Sequence, residues 1–263
     1  MTATTAAAQP RLSVQGLAKT YDTKKGAVPV IADLTFDVHA AEIVCIVGPS
    51  GIGKTTLLKC LTGLQSITSG SARIDGKQID GPPEEMALVF QEYTRSLMPW
   101  LTVEKNVRLP LKYLRLPAAE REERISSALA AVGLAGAESK YPWQLSGGMQ
   151  QRVAIARAIA YRPEVLIMDE PFASVDAQTR FELEDLCLKI RDEFGMTIVV
   201  VTHDIDEAVY LSDRVVVLGE RPARVTRTVD IGLPAPRDQI TSRAAHEFAE
   251  LRTEIFELIR KAG

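Results

Sequence analysis

The sequence GPSGIGKT at residues 48–55 limits the fold of this chain more than any other feature. It follows the apolar run EIVCIV, and the helical pattern KTTLLKCLTGL begins at its last two residues. Glycines let the backbone turn so that successive N–H groups point at phosphate oxygens, and the N-terminus of the next helix adds positive potential. The spacing GxxxxGK[ST] is that of a phosphate-binding loop, so it predicts a strand, a tight loop and a helix in this order.

Two residues of this loop have specific predicted roles. Lys54 would reach the β- and γ-phosphates of a nucleotide, and the Thr55 hydroxyl would bind Mg²⁺. The strand–loop–helix context makes the alternative, a glycine-rich turn without a ligand, a weak one. The loop residues that we predict to bind the nucleotide are Gly48, Pro49, Ser50, Gly51, Ile52, Gly53, Lys54, Thr55 and Thr56.

Three apolar runs, at residues 43–47, 165–168 and 198–201, show no polar alternation. Strands that are apolar on both faces usually belong to a parallel sheet covered by helices. Each run is followed by a polar turn and a helical pattern, which predicts repeated βα units and an α/β fold.

The remaining segments differ from these βα units. Residues 34–38 alternate between apolar and polar, and a hairpin is predicted around residues 72–77, which together indicate a β-rich layer. We expect one domain over residues 10–240. Within it, residues 92–160 or so form an inserted helical subdomain. A tail at residues 1–9 precedes the domain, and a C-terminal helix at residues 241–263 follows it. The apolar stripe of that helix comprises Phe248, Leu251, Ile255, Phe256, Leu258 and Ile259.

The composition excludes several classes of protein. Hydrophobic residues make up 46% of the chain and charged residues 25%, which is typical of a globular domain. The net charge of −3 gives no reason to expect a nucleic-acid partner. Cys45, Cys60 and Cys187 form no CxxC pair, so a disulfide scaffold or zinc site is not expected and a reducing cytoplasm fits. No apolar run approaches the roughly 20 residues that span a bilayer.

Asp169 and Glu170 follow the apolar run 165–168, where carboxylates are costly without a cation or a partner. On its own, such a pair could equally be a buried ion pair. Together with the phosphate loop, it predicts that Asp169 coordinates Mg²⁺ and that Glu170 orients or deprotonates an attacking water.

The segment LSGGMQQR at residues 145–152 resembles the signature of the ABC ATPases, usually written LSGGQ. Other motifs of that family occur in their expected order. Tyr21 matches the aromatic residue that stacks on adenine, Gln91 the Q-loop glutamine that contacts Mg²⁺, Asp176 the D-loop aspartate and His203 the switch histidine. The resemblance covers nearly the whole chain. It implies a P-loop NTPase (RecA-like) core with a β-rich flank and an inserted helical subdomain, and it implies hydrolysis of ATP. Ile52 departs from the family pattern, because a smaller residue is common there.

The resemblance also implies a dimer. Ser146, Gly147 and Gly148 open a predicted helix and form a second anion site. In the ABC ATPases, the signature of one subunit covers the nucleotide bound by the other, so the expected partner is a second copy of the chain.

Two further stretches resemble the importer branch for nitrate, aliphatic sulfonates and taurine. The first is residues 97–103, which include Met98, Pro99 and Trp100, and the second is residues 221–224 followed by residues 233–238. This resemblance implies separate transmembrane permease subunits, an external solute-binding protein and a peripheral position on the cytoplasmic face of the inner membrane. Trp100 would form part of the permease socket, or else would belong to the core of the helical subdomain. An exporter ATPase and a soluble non-transport ABC ATPase are the alternatives.

Overall fold

The computed structural model describes residues 9–92 and 96–262, and its secondary structure forms two sheets and several helices. Nearly all of the predicted tail at residues 1–9 lies outside this part of the chain. The strands are β1 (Leu12–Thr23), β2 (Gly26–Val38), β3 (Ile43–Val47), β4 (Ser69–Ile74), β5 (Lys77–Gln78), β6 (Met86–Val89), β7 (Val165–Asp169), β8 (Thr197–Val201), β9 (Arg214–Gly219) and β10 (Arg224–Asp230). The helices are α1 (Lys54–Leu61), α2 (Val103–Arg108), α3 (Ala118–Ala131), α4 (Gly147–Ala160), α5 (Ala177–Phe194), α6 (Ile205–Leu211), α7 (Thr241–Ala244) and α8 (His246–Ala262), with 3₁₀ turns at Pro110–Tyr113 and Pro142–Gln144.

The central sheet has the order β10-β9-β3-β8-β7-β6. The strands from β9 to β6 are parallel, whereas β10 is an antiparallel edge strand. The three continuous apolar runs form β3, β7 and β8, which lie side by side. The prediction of an α/β fold with a parallel sheet is therefore confirmed.

The alternate residues of these strands pack into two separate cores, which explains why the runs contain no polar positions. In β3, Ile43 and Cys45 face the core shared with the helices, whereas Val44 and Ile46 face the core shared with the other sheet. That other sheet is antiparallel, with the order β2-β1-β4-β5, and it is the predicted β-rich flank. The buried side chains of Leu34, Phe36 and Val38 lie on its inner face.

The helices between β6 and β7 form the inserted helical subdomain. α3 and α4 pack against each other through buried apolar residues such as Ile125, Leu129 and Val153. The Arg157 guanidinium of α4 donates to the backbone oxygen of Ser96 at 2.6 Å and to its hydroxyl at 2.7 Å. Arg157 therefore joins the subdomain to the segment that follows β6. No helix in the described part of the chain has the length and apolar character needed to cross a membrane.

The C-terminal segment contains two helices, because the extended backbone of Ala245 separates α7 from α8. The predicted stripe on α8 is correct for Phe248 and Ile255, which are buried, and for Leu251, Leu258 and Ile259, which pack at the edge of the same core. Phe256 is the exception, since it is 53% exposed. Helical spacing placed it beside Ile255, but it lines a cleft between α8 and the start of α6 instead of packing in the core.

We expect Ile255→Ala to destabilise the domain by about 2–5 kcal/mol, because it removes a fully buried side chain and leaves a cavity. Phe256→Ala on the same helix should change the free energy of unfolding by less than about 0.5 kcal/mol, since that ring is half exposed. Urea unfolding of both variants checks this. Equal losses of stability would show that the two side chains are equally buried.

Candidate functional site

The candidate site lies at the carboxyl edge of the parallel sheet, where adjacent strands end. The phosphate loop follows β3, Asp169 ends β7, and Thr202 and His203 follow β8. Because β8 pairs with both β3 and β7, these three chain segments are neighbours. Loops at the carboxyl ends of parallel strands are the usual ligand-binding positions in open α/β sheets.

The phosphate loop has the backbone that its glycines allow. Gly51 and Gly53 have positive φ of 72° and 116°, and α1 begins at Lys54. A Cβ atom at Gly48 would lie 2.7 Å from the backbone oxygen of Leu218, so the loop passes close to β9 at a place where only glycine fits. Ile52 is buried in the core beneath the flank sheet. Its size therefore does not obstruct the ligand side of the loop.

The Lys54 side chain lies over the loop. Its ammonium group donates to the backbone oxygens of Gly48, at 2.7 Å, and Pro49, at 3.2 Å. Burial lowers the pKa of Lys54, and the nearby carboxylates of Glu170 and Asp169 oppose this effect. The lysine is thus preorganised by the loop.

A cleft of about 360 Å³ opens beside Lys54 and Glu170. Its walls include Ser50, Thr55 and Thr56, so most of the predicted loop residues meet around one space. Val30 of β2 also lines the cleft, although no motif in the sequence had pointed to it. Among the described residues, the lining comprises Val30, Ser50, Gly51, Gly53, Lys54, Thr55, Thr56 and Glu170.

Three residues predicted from separate motifs meet at the Glu170 carboxylate. The Gln91 amide donates to Glu170 Oε2 at 3.0 Å, and Nδ1 of His203 lies 3.2 Å from the same oxygen. Glu170 has a positive φ of 43°, which is costly for a residue with a side chain. Its N–H donates to the backbone oxygen of Val201 at 2.8 Å, so β8 holds this conformation in place.

The donor set fits a magnesium ion. Thr55, Gln91 and Asp169 offer a hydroxyl, an amide oxygen and a carboxylate, the hard oxygen ligands that Mg²⁺ prefers. Burial raises the pKa of Asp169, and the Glu170 carboxylate raises it further, whereas Lys54 opposes both effects. A cation beside this acidic pair would relieve their repulsion. Among the described residues no group of three or more His, Cys, Asp or Glu side chains could hold a metal. A site with few protein ligands suits Mg²⁺ that is bound mainly by phosphates and water.

Tyr21 stands beside the N-terminal part of α1. Its hydroxyl donates to Gln65 Oε1 at 2.8 Å and lies 3.4 Å from the Thr56 hydroxyl. The Lys19 ammonium is 5.3 Å from the centre of the ring. The structure therefore places this aromatic ring next to the loop that would hold the phosphates, and its contact with adenine stays a prediction.

The signature residues lie elsewhere. Ser146 is the N-cap of α4 and accepts from the Met149 N–H at 3.3 Å. Gly147 and Gly148 form the first turn of that helix. None of these three residues appears in the described lining of the phosphate cleft. A single chain therefore presents two separate candidate anion sites, the phosphate loop and the start of α4.

Comparison with known proteins gives a consistent result. Residues 31–173 match the ABC transporter family. An uncharacterized ABC transporter ATP-binding protein of Methanocaldococcus jannaschii is 46% identical over 95% of this chain and 91% of its own length. The bicarbonate transport and nitrate import ATP-binding proteins of Synechococcus elongatus are each 41% identical, covering 92% of this chain and 88% of theirs. An aliphatic sulfonates import ATP-binding protein of Bacillus cereus is 37% identical over 96% of this chain and 97% of its own.

Solved structures also resemble the chain. The cbiO1 protein from Clostridium perfringens, part of an ABC transporter complex, matches with a TM-score of 0.77 and 30% identity over 84% of this chain and 89% of its own. A dimeric ATP-binding cassette in a post-hydrolysis state with ADP and Pi matches with a TM-score of 0.72 and 33% identity. That match covers 84% of this chain and 98% of the cassette.

We expect Glu170→Gln to keep ATP binding and to slow hydrolysis by about 10²- to 10⁴-fold, the usual effect of losing a general base. Lys54→Ala should instead weaken ATP binding itself, because it removes the cation over the phosphate loop. Steady-state hydrolysis and nucleotide titration of both variants separate the two roles. Near-normal turnover in the glutamine variant would contradict the role given to Glu170.

Proposed function

This chain belongs to the ABC transporter family, and on that premise we propose that it is the ATP-binding and ATP-hydrolysing subunit of an ABC importer. The observation that carries the proposal is the meeting of Gln91 and His203 at the Glu170 carboxylate, beside a cleft lined by the phosphate loop. This arrangement places a general base, Glu170, next to the phosphate-binding loop.

In the proposed mechanism, the loop N–H groups and Lys54 bind the β- and γ-phosphates of ATP, and Tyr21 contacts the adenine. Glu170 accepts a proton from a water molecule, whose oxygen forms the new bond to phosphorus while the bond to the ADP oxygen breaks. Gln91 and His203 keep the Glu170 carboxylate oriented, and His203 reaches toward the γ-phosphate.

Thr55, Asp169 and Gln91 would hold Mg²⁺. When bound, the ion supplies positive charge to the phosphate oxygens. The residues of the chain supply the rest of the site.

The dimer follows from the separation of the two candidate anion sites. In a head-to-tail pair, the α4 N-terminus of one copy would cover the phosphate cleft of the other, and two-fold symmetry would repeat the contact. The similarity to a dimeric cassette supports this arrangement. Each of the two sites would then contain residues from both copies.

We expect the Ser146→Ala protein to bind ATP normally but to hydrolyse it poorly, because the serine serves the site of the partner. Mixing this variant with Lys54→Ala should restore up to about a quarter of the normal turnover. Half of the dimers would then be mixed, and each mixed dimer would have one intact site. Thr102→Ala, which removes the comparable N-cap of α2, is the matched control for loss of a helix cap. No recovery on mixing would contradict the composite site.

The surface around Met98, Pro99 and Trp100 is the proposed permease socket. Trp100 is 71% exposed, so the alternative that it belongs to the core of the helical subdomain is wrong. The buried Asn106 amide donates to the backbone oxygens of Met98 and Leu101, each at 3.1 Å, and fixes the turn that presents the ring. An exposed aromatic ring on a fixed turn is suited to contact with a partner helix.

The transported solute is proposed from the relatives. Proteins similar to this chain include ATP-binding proteins named for transport of bicarbonate, nitrate and aliphatic sulfonates, and these three solutes are all small anions. We therefore propose import of a small solute of the nitrate, sulfonate or taurine type. An external solute-binding protein would deliver it, and the chain would lie at the cytoplasmic face of the inner membrane through its permease.

We expect the tagged chain, purified from gently solubilised membranes, to recover a multi-spanning permease in near-equal amount. Trp100→Ala should weaken that association by about 2 kcal/mol or more, as truncation of a central aromatic contact usually does. It should leave ATP binding unchanged. Phe256→Ala, which removes another exposed ring far along the chain, is the control. Mass spectrometry of the recovered proteins gives the result, and a permease that accompanies the Trp100→Ala chain equally well would contradict the socket.

A further inference from the structure

The chain on both sides of His203 is fixed by hydrogen bonds. The Thr202 hydroxyl accepts from the N–H of Asp204 at 3.0 Å and donates to Glu207 Oε2 at 2.6 Å. Asp204 is the N-cap of α6 and accepts from the N–H groups of Asp206 and Glu207. The position of the His203 ring near Glu170 therefore depends on where Thr202 and Asp204 are held.

Glu207 is a charged group in an unusual place, because only 4% of its surface is exposed. Burial raises the pKa of Glu207 to about 7, and the neighbouring carboxylates of Asp204 and Glu184 raise it as well, whereas Thr202 and Arg180 oppose them. A buried carboxylate needs a cation and hydrogen-bond donors to remain in place.

Arg180 supplies that cation to both acidic groups. Its Nη1 lies 3.0 Å from Asp204 Oδ2, and its Nε lies 3.6 Å from Glu207 Oε1. Without the arginine, Asp204 would lose its ion-pair partner, and Glu207 would lose the cation that favours its charged form. Asp204 would then be free to shift, and the adjacent His203 would move with it.

Arg180 also connects this cluster to the start of α5. Its N–H donates to the backbone oxygen of Asp176 at 2.9 Å, which is among the first bonds of that helix. The Asp176 side chain caps the same turn by accepting from the Thr179 N–H at 3.0 Å and from the Thr179 hydroxyl at 2.7 Å. The guanidinium group therefore joins the first turn of α5 to the loop that carries His203.

We propose that Arg180 is a positioning residue for His203: by binding Asp204 and Glu207 together, it couples the α5 turn that begins at Asp176 to the placement of the histidine beside Glu170. This inference deepens the proposed function and rests on it. Arg180 does not line the described phosphate cleft, and the effect that we propose for it on ATP hydrolysis passes through His203.

The test is a set of full-length variants assayed for ATP hydrolysis. Arg180→Gln should lower kcat by about tenfold, within the range of coupling between groups in contact, and should change KM for ATP by less than about twofold. Arg180→Lys should recover most of the lost kcat, since it restores the charge. In a His203→Ala chain, Arg180→Gln should have no further effect, because the group on which it acts is gone.

Arg252→Gln is the matched control. Arg252 also pairs with an acidic residue in the first turn of α6, but its contact with Asp206 is exposed and 3.8 Å long. Its loss should leave kcat and KM unchanged. Thermal unfolding of each variant shows whether a lower kcat reflects a loss of folded protein. If Arg180→Gln does not fold, the kcat of Arg180→Lys tests the inference instead, because this variant should recover most of the normal kcat.

Two results would overturn the inference: unchanged kcat in Arg180→Gln, or an equal tenfold loss when Arg180→Gln is added to His203→Ala. Both are distinct from failure of the proposed function. That failure would appear as an unsubstituted chain that hydrolyses no ATP, or as a His203→Ala chain with full turnover.

Discussion

The parallel pairing of β3, β8 and β7 is the constraint on which the rest of the structure depends. It places the phosphate loop, the Asp169–Glu170 pair and the His203 loop along one edge of a sheet that is buried on both faces. Because each face packs into its own apolar core, the strands have no freedom to slide past one another. The hydrogen bond from the Glu170 N–H to the Val201 backbone oxygen connects to this rigid sheet and holds Glu170 at positive φ in the centre of the site.

The charges of the site follow from this geometry. Asp169 and Glu170 stand close enough to Lys54 that each of their charges influences its pKa. One lysine therefore faces two carboxylates before any nucleotide is present, and the phosphates of ATP would add further negative charge. A divalent cation held by Asp169 and Thr55 would offset this excess of negative charge. The excess of negative charge and the oxygen-rich donor set thus both support the proposal that Mg²⁺ binds at this site.

The sequence predicted those features that local spacing determines. The loop at residues 48–55, the apolar strands and Gln91, Asp169, Glu170 and His203 all follow from short motifs, and the structure brings these residues together. Packing between distant segments was not predictable. The Arg180–Asp204 pair joins residues that are 24 positions apart, and no motif marks either as a partner of the other. Helical periodicity likewise predicted the apolar face of α8 but not how wide its buried part is. The predicted stripe therefore included Phe256, which is exposed.

The packing around Thr179 connects the signature to the same cluster. A Cβ atom at Gly148 would lie 2.3 Å from Thr179 Cγ2, so the first turns of α4 and α5 touch here and Thr179 would have to shift to admit a side chain. Thr179 in turn binds Asp176, and Arg180 follows it in α5. A displacement of the α4 N-terminus by a nucleotide held in the partner would therefore reach the first turn of α5 through direct contact. Through Arg180 it would then reach His203, which we propose to serve the other nucleotide. The two sites of the proposed dimer would thus be linked by packed side chains and hydrogen bonds within each subunit, which would give a physical basis for their acting together.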